Sequence, residues 1–250
     1  MRILVTNDDG IFAPGLASLV QAFSSAGHEI IVSAPDTQRS AAGHSIVLNS
    51  PISVKQETVP YACKAYAIGG TPADCVRIAL RVLVPQVDFV LSGINHGYNA
   101  GTDVLYSGTV AAAMEAALTG LPAMAVSLGK ESNDYERAAS EALRVFRMIG
   151  ESWPGSGKML NLNIPEHFNG TDVKTVPLCR IRYKDTYAFR ERIDWKAYYI
   201  ASGWIDEAQP LGNDDFGWLA KGYPTVTVLS YDMADSAETQ RIGKLLHGEE

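Results

Sequence analysis

Cysteine is scarce in this 250-residue chain: Cys63, Cys75 and Cys179 are widely separated. Three are too few for a disulfide framework, and no CxxC pair or Cys/His cluster has the spacing of a zinc site. No apolar run approaches the roughly 20 residues that a membrane-spanning helix needs. The N-terminus, Met1-Arg2-Ile3-Leu4-Val5-Thr6-Asn7-Asp8-Asp9, turns acidic before an apolar leader region can form. Positive charge is the minority, with 21 Lys and Arg against 28 Asp and Glu and a net charge of -7. An acidic surface disfavours duplex nucleic acid and anionic membrane as partners. These absences lead us to expect a cytoplasmic, reducing-compartment protein. What is present is ordinary globular composition, 46% hydrophobic and 20% charged. A chain of this length buries roughly 70–75% of its unfolded surface.

The hydrophobic pattern alternates. Short apolar runs with a β-branched bias predict strands over 3–6, 30–32, 65–68, 89–91, 123–128 and 159–164. Helical spacing predicts helices over 14–26, 72–83, 110–118 and 136–148. Gly27 ends the first, and Thr71-Pro72 opens the second as cap and first residue. Alternating strands and helices imply an α/β fold with a doubly wound, mainly parallel, Rossmann-like sheet. Residues 173–231 lose helical periodicity and are rich in aromatics, so they read as β-hairpins, with a terminal helix over 234–246. We therefore expect a core over 1–165, with 166–250 as a hairpin arm and terminal helix that contribute to oligomerisation.

Ligands of open α/β sheets bind beyond the carboxyl ends of the strands. Four polar groups fall there. Asn7-Asp8-Asp9-Gly10 stands where a dinucleotide fold would carry its GxGxxG turn. Two adjacent carboxylates repel a pyrophosphate and suit a divalent cation with hard oxygen ligands, Mg²⁺ or Mn²⁺. A solvated Asp-Asp-Gly turn is the plainer alternative. Residues 36–45 offer Ser40 as a neutral oxygen and Arg39 as an anion donor, yet taken alone they form an ordinary surface loop. Asn95, in the glycine-rich 92–101 segment, supplies an amide oxygen for a metal or donors for an anion. His96 beside it is expected to be simply exposed. Ser107-Gly108-Thr109 opens a helix, whose N–H groups and dipole make an anion site, and simple capping by Ser107 is compatible with that role. The combination suits metal-assisted phosphoryl hydrolysis.

As an ordered set, Asn7-Asp8-Asp9-Gly10, Ala34-Pro35-Asp36 with Arg39-Ser40, Gly70-Thr71-Pro72-Ala73-Asp74-Cys75-Val76, Ser92-Gly93-Ile94-Asn95 and Ser107-Gly108-Thr109 resemble the SurE (survival protein E) family. The resemblance spans residues 1–130. It implies a cytoplasmic, metal-dependent phosphatase acting on nucleoside 5′-monophosphates, with some action on 3′-monophosphates and short polyphosphate. It also implies one divalent cation held by Asp8, Asp9, Ser40 and Asn95. Phosphate would be held by Asn95, Ser107, Gly108 and Thr109, and catalysis would rest on Asp8, Asp9 and Asn95. Family members form dimers and tetramers that exchange a C-terminal arm, which points to residues 180–204 here. A receiver-type signalling domain would need an Asp after the third strand and a Lys after the fifth, where this chain has Gly69-Gly70-Thr71 and Ser127-Leu128-Gly129. A metal-dependent deacetylase would want histidine beside the Asp pair.

Overall fold

The structure, a computed structural model, describes residues 1–84, 86–150, 152–153, 156–169, 172–180, 183–205 and 212–247, with side chains through 203 in the penultimate stretch. In chain order the elements are β1 Arg2–Thr6, α1 Pro14–Ser25, β2 Glu29–Pro35, β3 Val54–Glu57, β4 Lys64–Ile68, α2 Pro72–Ile78, β5 Phe89–His96, α3 Gly108–Leu118, β6 Ala123–Leu128, α4 Tyr135–Ile149, β7 Lys158–Ile164, β8 Lys174–Thr175, β9 Tyr183–Ile193, β10 Lys196–Ile205, α5 Asp215–Ala220, β11 Thr225–Ser230 and α6 Ser236–His247. Among the described residues nine strands form one sheet in the order β3-β4-β2-β1-β5-β6-β7-β11-β8. Its centre is parallel, and only the β3–β4 and β7–β11 pairs run antiparallel.

The alternation of β1 explains the two layers. Ile3 and Val5 face one core, with Leu16, Leu19, Val20 and Phe23 of α1 and Val145 and Phe146 of α4. Leu4 faces the other, with Val76 of α2 and the alanines of α3. Helix α3 is buried from Gly108 through Ala117, and its small side chains are what allow so close an approach to the sheet. The chain winds outward from β1 to β2 on one side and resumes with β5 on the other. The crevice between the ends of β1 and β5 is therefore the topological switch point.

Four expectations need correction. The helix over 72–83 is α-helical only to Ile78, and Ala79–Leu83 widens into a π-turn. Strand β5 runs five residues past the predicted 91, because a bulge between Ser92 and Asn95 absorbs the glycine-bearing stretch without ending the pairing. Within 173–231 lies a helix, α5, which is too short at six residues to declare a period and is capped by Asp214. β11 also lies there and returns to the main sheet beside β7, so this sheet draws strands from beyond residue 165. The hairpin itself is present as β9–β10. Its two-residue turn, Asp194-Trp195, has positive φ at both positions, the geometry that matches strand twist.

Candidate active site

β1 carries the chain to the crevice, and the polar residues after it form the first wall. Asn7 closes the turn: its Nδ2 donates to the Gly10 carbonyl at 2.9 Å, and its Oδ1 accepts the Gly10 N–H at 3.2 Å. Gly10 has φ +104°, which side-chain-bearing residues rarely adopt. The turn sets Asp8, only 5% exposed, and half-buried Asp9 side by side.

Helix α3 begins directly against Asp8. A Cβ on Gly108 would lie 2.8 Å from the Asp8 Cβ and 2.9 Å from the Pro72 Cγ, so glycine is what admits the helix here. Ser107 caps it, its Oγ accepting the Val110 N–H at 3.0 Å. Thr109 Oγ1 donates to Asp8 Oδ1, so that hydroxyl is turned to the carboxylate.

The loop after β2 is stitched down at several points. Arg39 N–H donates to the Asp8 carbonyl at 2.7 Å and Gly43 N–H to the Tyr106 carbonyl at 3.0 Å. His44 Nε2 lies 2.9 Å from Glu115 Oε1 on α3, and Arg77 donates to the other oxygen at 3.3 Å. The loop therefore holds Ser40 beside Asp9, and Gln38 Nε2 donates to both Asp9 Oδ1, at 3.2 Å, and Ser40 Oγ, at 2.9 Å. The Arg39 guanidinium pairs with Asp36 at 3.5 Å and does not line the cavity. Past the β5 bulge, Asn95 Nδ2 donates to the Gly97 carbonyl at 2.8 Å, which turns the amide oxygen to other partners.

These elements enclose a cavity of about 350 Å³ that Asp8, Asp9, Gln38, Ser40, Asn95 and Ser107 line together. Tyr98, Asn99 and Asp103 continue its wall. Gly108 and Thr109, predicted beside Ser107, are buried behind the lining. His96 is exposed at the rim, and its backbone N–H donates to the Asp9 carboxylate. Gln38, Tyr98 and Asp103 were not foreseen. Gln38 had a signal in its place two residues before Ser40, whereas Asp103 had none.

Burial pushes the Asp8 carboxyl up to about 6, with the Thr109 hydroxyl pulling it down and the Asp9 charge raising it. Burial also raises Asp9, against the His96 N–H and the Gln38 amide. Two acids held close and desolvated gain from the charge that a cation would supply. Among the described residues no group of three or more His, Cys, Asp and Glu is placed to hold a metal. The donors gathered here are two carboxylates with neutral amide and hydroxyl oxygens, a set that fits a hard divalent cation and not zinc.

The family profile for survival protein SurE matches residues 3–187. The 5′-nucleotidase SurE of Clostridium beijerinckii is 40% identical over 253 residues, covering 98% of this chain and 99% of the relative. That of Synechococcus elongatus is 40% identical over 249 residues, covering 93% and 95%. The crystal structure of the SurE protein from Aquifex aeolicus superposes with a TM-score of 0.81 at 31% identity, over 99% of this chain and 100% of that one. With a profile match across most of its length, near full-length relatives and a shared fold, the chain belongs to the SurE family.

Proposed function

We propose that the chain hydrolyses nucleoside 5′-monophosphates to nucleoside and phosphate in the Asp8–Asp9 cleft, with one divalent cation, Mg²⁺ or Mn²⁺, as cofactor. One observation carries the site assignment: Asp8, Asp9, Ser40, Asn95 and Ser107, from four separate segments, line a single cavity. The 5′-nucleotidase relatives support the substrate class. The same reading extends to 3′-monophosphates and short polyphosphate, which present the same phosphoryl group to the cation and the α3 N-terminus.

Asp8, Asp9, Ser40 and Asn95 would hold the cation, which when bound offsets phosphate charge and makes water a nucleophile near neutral pH. Thr109 and the Arg39 backbone hold Asp8 in place through its carboxylate and carbonyl. The Ser107 Oγ accepts in its cap, which leaves its proton free to donate to a phosphate oxygen. The α3 N-terminus adds its dipole to the same oxygens. A carboxylate of the Asp pair serves as base. No helix among the described residues is long and apolar enough to cross a membrane. We place the enzyme in the cytoplasm as a homodimer or homotetramer, without nucleic acid or membrane as partner.

Phosphate release from a nucleotide panel tests this. Activity is expected with Mg²⁺ or Mn²⁺ and is expected to vanish in excess EDTA. Asp8→Asn is expected to lower turnover at least roughly 100-fold, since even a metal ligand's supporting partner can be worth that much. Full activity in EDTA would overturn the proposal.

A further inference from the structure

Helix α3 is rich in buried alanine, and Glu115 is the acid among them, only 7% exposed. Burying a carboxylate is costly unless charged or hydrogen-bonding partners meet it. His44 Nε2 lies 2.9 Å from its Oε1, and Arg77 donates to its Oε2 at 3.3 Å. Burial would raise this carboxyl, but the His44 hydrogen bond and the Arg77 charge outweigh it and hold the group below its usual value. An ionised carboxylate only accepts, so the His44 Nε2 carries the proton and donates. Arg77 comes from α2 and ties one helix to another. His44 comes from the loop after β2 and reaches α3 about two turns past the Ser107 cap.

That loop carries Ser40 between two feet. One is the Arg39 N–H on the Asp8 carbonyl, and the other is the Gly43 N–H on the Tyr106 carbonyl, with His44 next in the chain. The span between them is not relaxed. Ala41 takes φ +56°, a left-handed conformation that a residue with a side chain holds only where its surroundings impose it. A short, strained span keeps its shape only as well as its ends are fixed. His44 fixes the second end side chain to side chain, on a helix that is itself packed into the core. With both ends set, the Gln38 amide reaches Ser40 Oγ and Asp9 Oδ1 together.

We propose that Glu115 and His44 are positioning residues, a latch that fixes Ser40 in the cleft and so sets the cleft's affinity for its cation. This rests on the reading of Asp8, Asp9, Ser40 and Asn95 as the cation's ligands. Neither latch residue lines the cleft, so both act through the loop.

The test measures Mn²⁺ binding alone, without substrate, from the spin resonance of the free ion. His44→Ala alters a partly exposed side chain outside the core. It is expected to weaken Mn²⁺ binding about tenfold, the lower end of what losing a ligand's supporting partner does. His44→Gln restores a donor toward Glu115 and is expected to recover most of that loss. In a Ser40→Ala background, His44→Ala is expected to change binding less than about twofold, because the latch acts through Ser40. Unchanged Mn²⁺ binding in His44→Ala, or the same tenfold loss with Ser40 already removed, overturns the latch and leaves the cation reading standing. An unaltered protein that binds no Mn²⁺ overturns that reading and the latch together.

Discussion

Asp8 shows what a single residue costs a fold that uses it. A carboxyl whose folded pKa lies above its unfolded value binds its proton more tightly when folded, so ionising it destabilises the native state. For Asp8 that cost is absent below pH 3.8 and fully present above about pH 6. The shift corresponds to about 3 kcal/mol. Asp8→Asn keeps an oxygen for the Thr109 hydroxyl and removes the charge. Without cation, the variant is expected to melt several degrees higher than the unaltered protein at pH 7.5 and no higher at pH 3.5. Added Mn²⁺ is expected to raise the melting temperature of the unaltered protein only. Thermal scans at both pH values check this, and equal melting temperatures at pH 7.5 would show that Asp8 carries no such cost. The acidic pair was legible in sequence because two like charges after a buried strand call for a counter-charge. Gln38 was not, because its bridge between Asp9 and Ser40 exists only once the loop has folded back across β1. Nor could sequence say that the Thr109 hydroxyl turns inward to Asp8.

At the scale of elements, the long periodic ones were readable: α1 and α4 announce themselves by spacing, and the central strands by their β-branched runs. What escaped were elements made by context. β3 is largely exposed and polar, and exists because β4 offers it an edge. The π-turn after α2 and the bulge in β5 are local changes of pitch and register with no sequence period of their own. The start of α3 joins the readable and the hidden. Ser107 was legible as a cap, and the fold adds that the same side chain lines the cleft. Ser107→Ala is therefore expected to lose about 1 kcal/mol of stability from the cap. It is also expected to lower kcat/KM for the nucleotide at least roughly tenfold, with cation binding retained. Melting temperature and kinetics measured on the same variant separate the two roles. A stability loss with unchanged kcat/KM would leave Ser107 a cap alone.

The whole molecule leaves most of an arm exposed. Every side chain of β9 is exposed, and α6 buries none of its residues. The hairpin displays Tyr187 at 70%, Phe189 at 57%, Trp195 at 95% and Tyr199 at 60% exposure. We propose that this exposed aromatic surface is an interface between copies of the chain. Basic Arg190, Arg192 and Lys196 stand among these rings on an otherwise acidic chain, which matches the acidic surface of another copy. Arg182, part of the predicted arm, lies outside the described residues, as does the side chain of Trp204. The root of the arm must be kept in any test, because the Tyr183 hydroxyl donates to Asp103 in the wall of the cleft at 2.6 Å. Tyr187 and Ala201 pair directly across the two strands. Deleting residues 188–200 and joining that pair through Asn-Gly, a turn that fits the strand twist, shortens the arm without disturbing its root. Light scattering is expected to show a lower molar mass for this variant. Cation-dependent thermal stabilisation is expected to persist, because the Asp8–Asp9 cleft lies on the main sheet. An unchanged molar mass would mean that the exposed rings hold no subunits together.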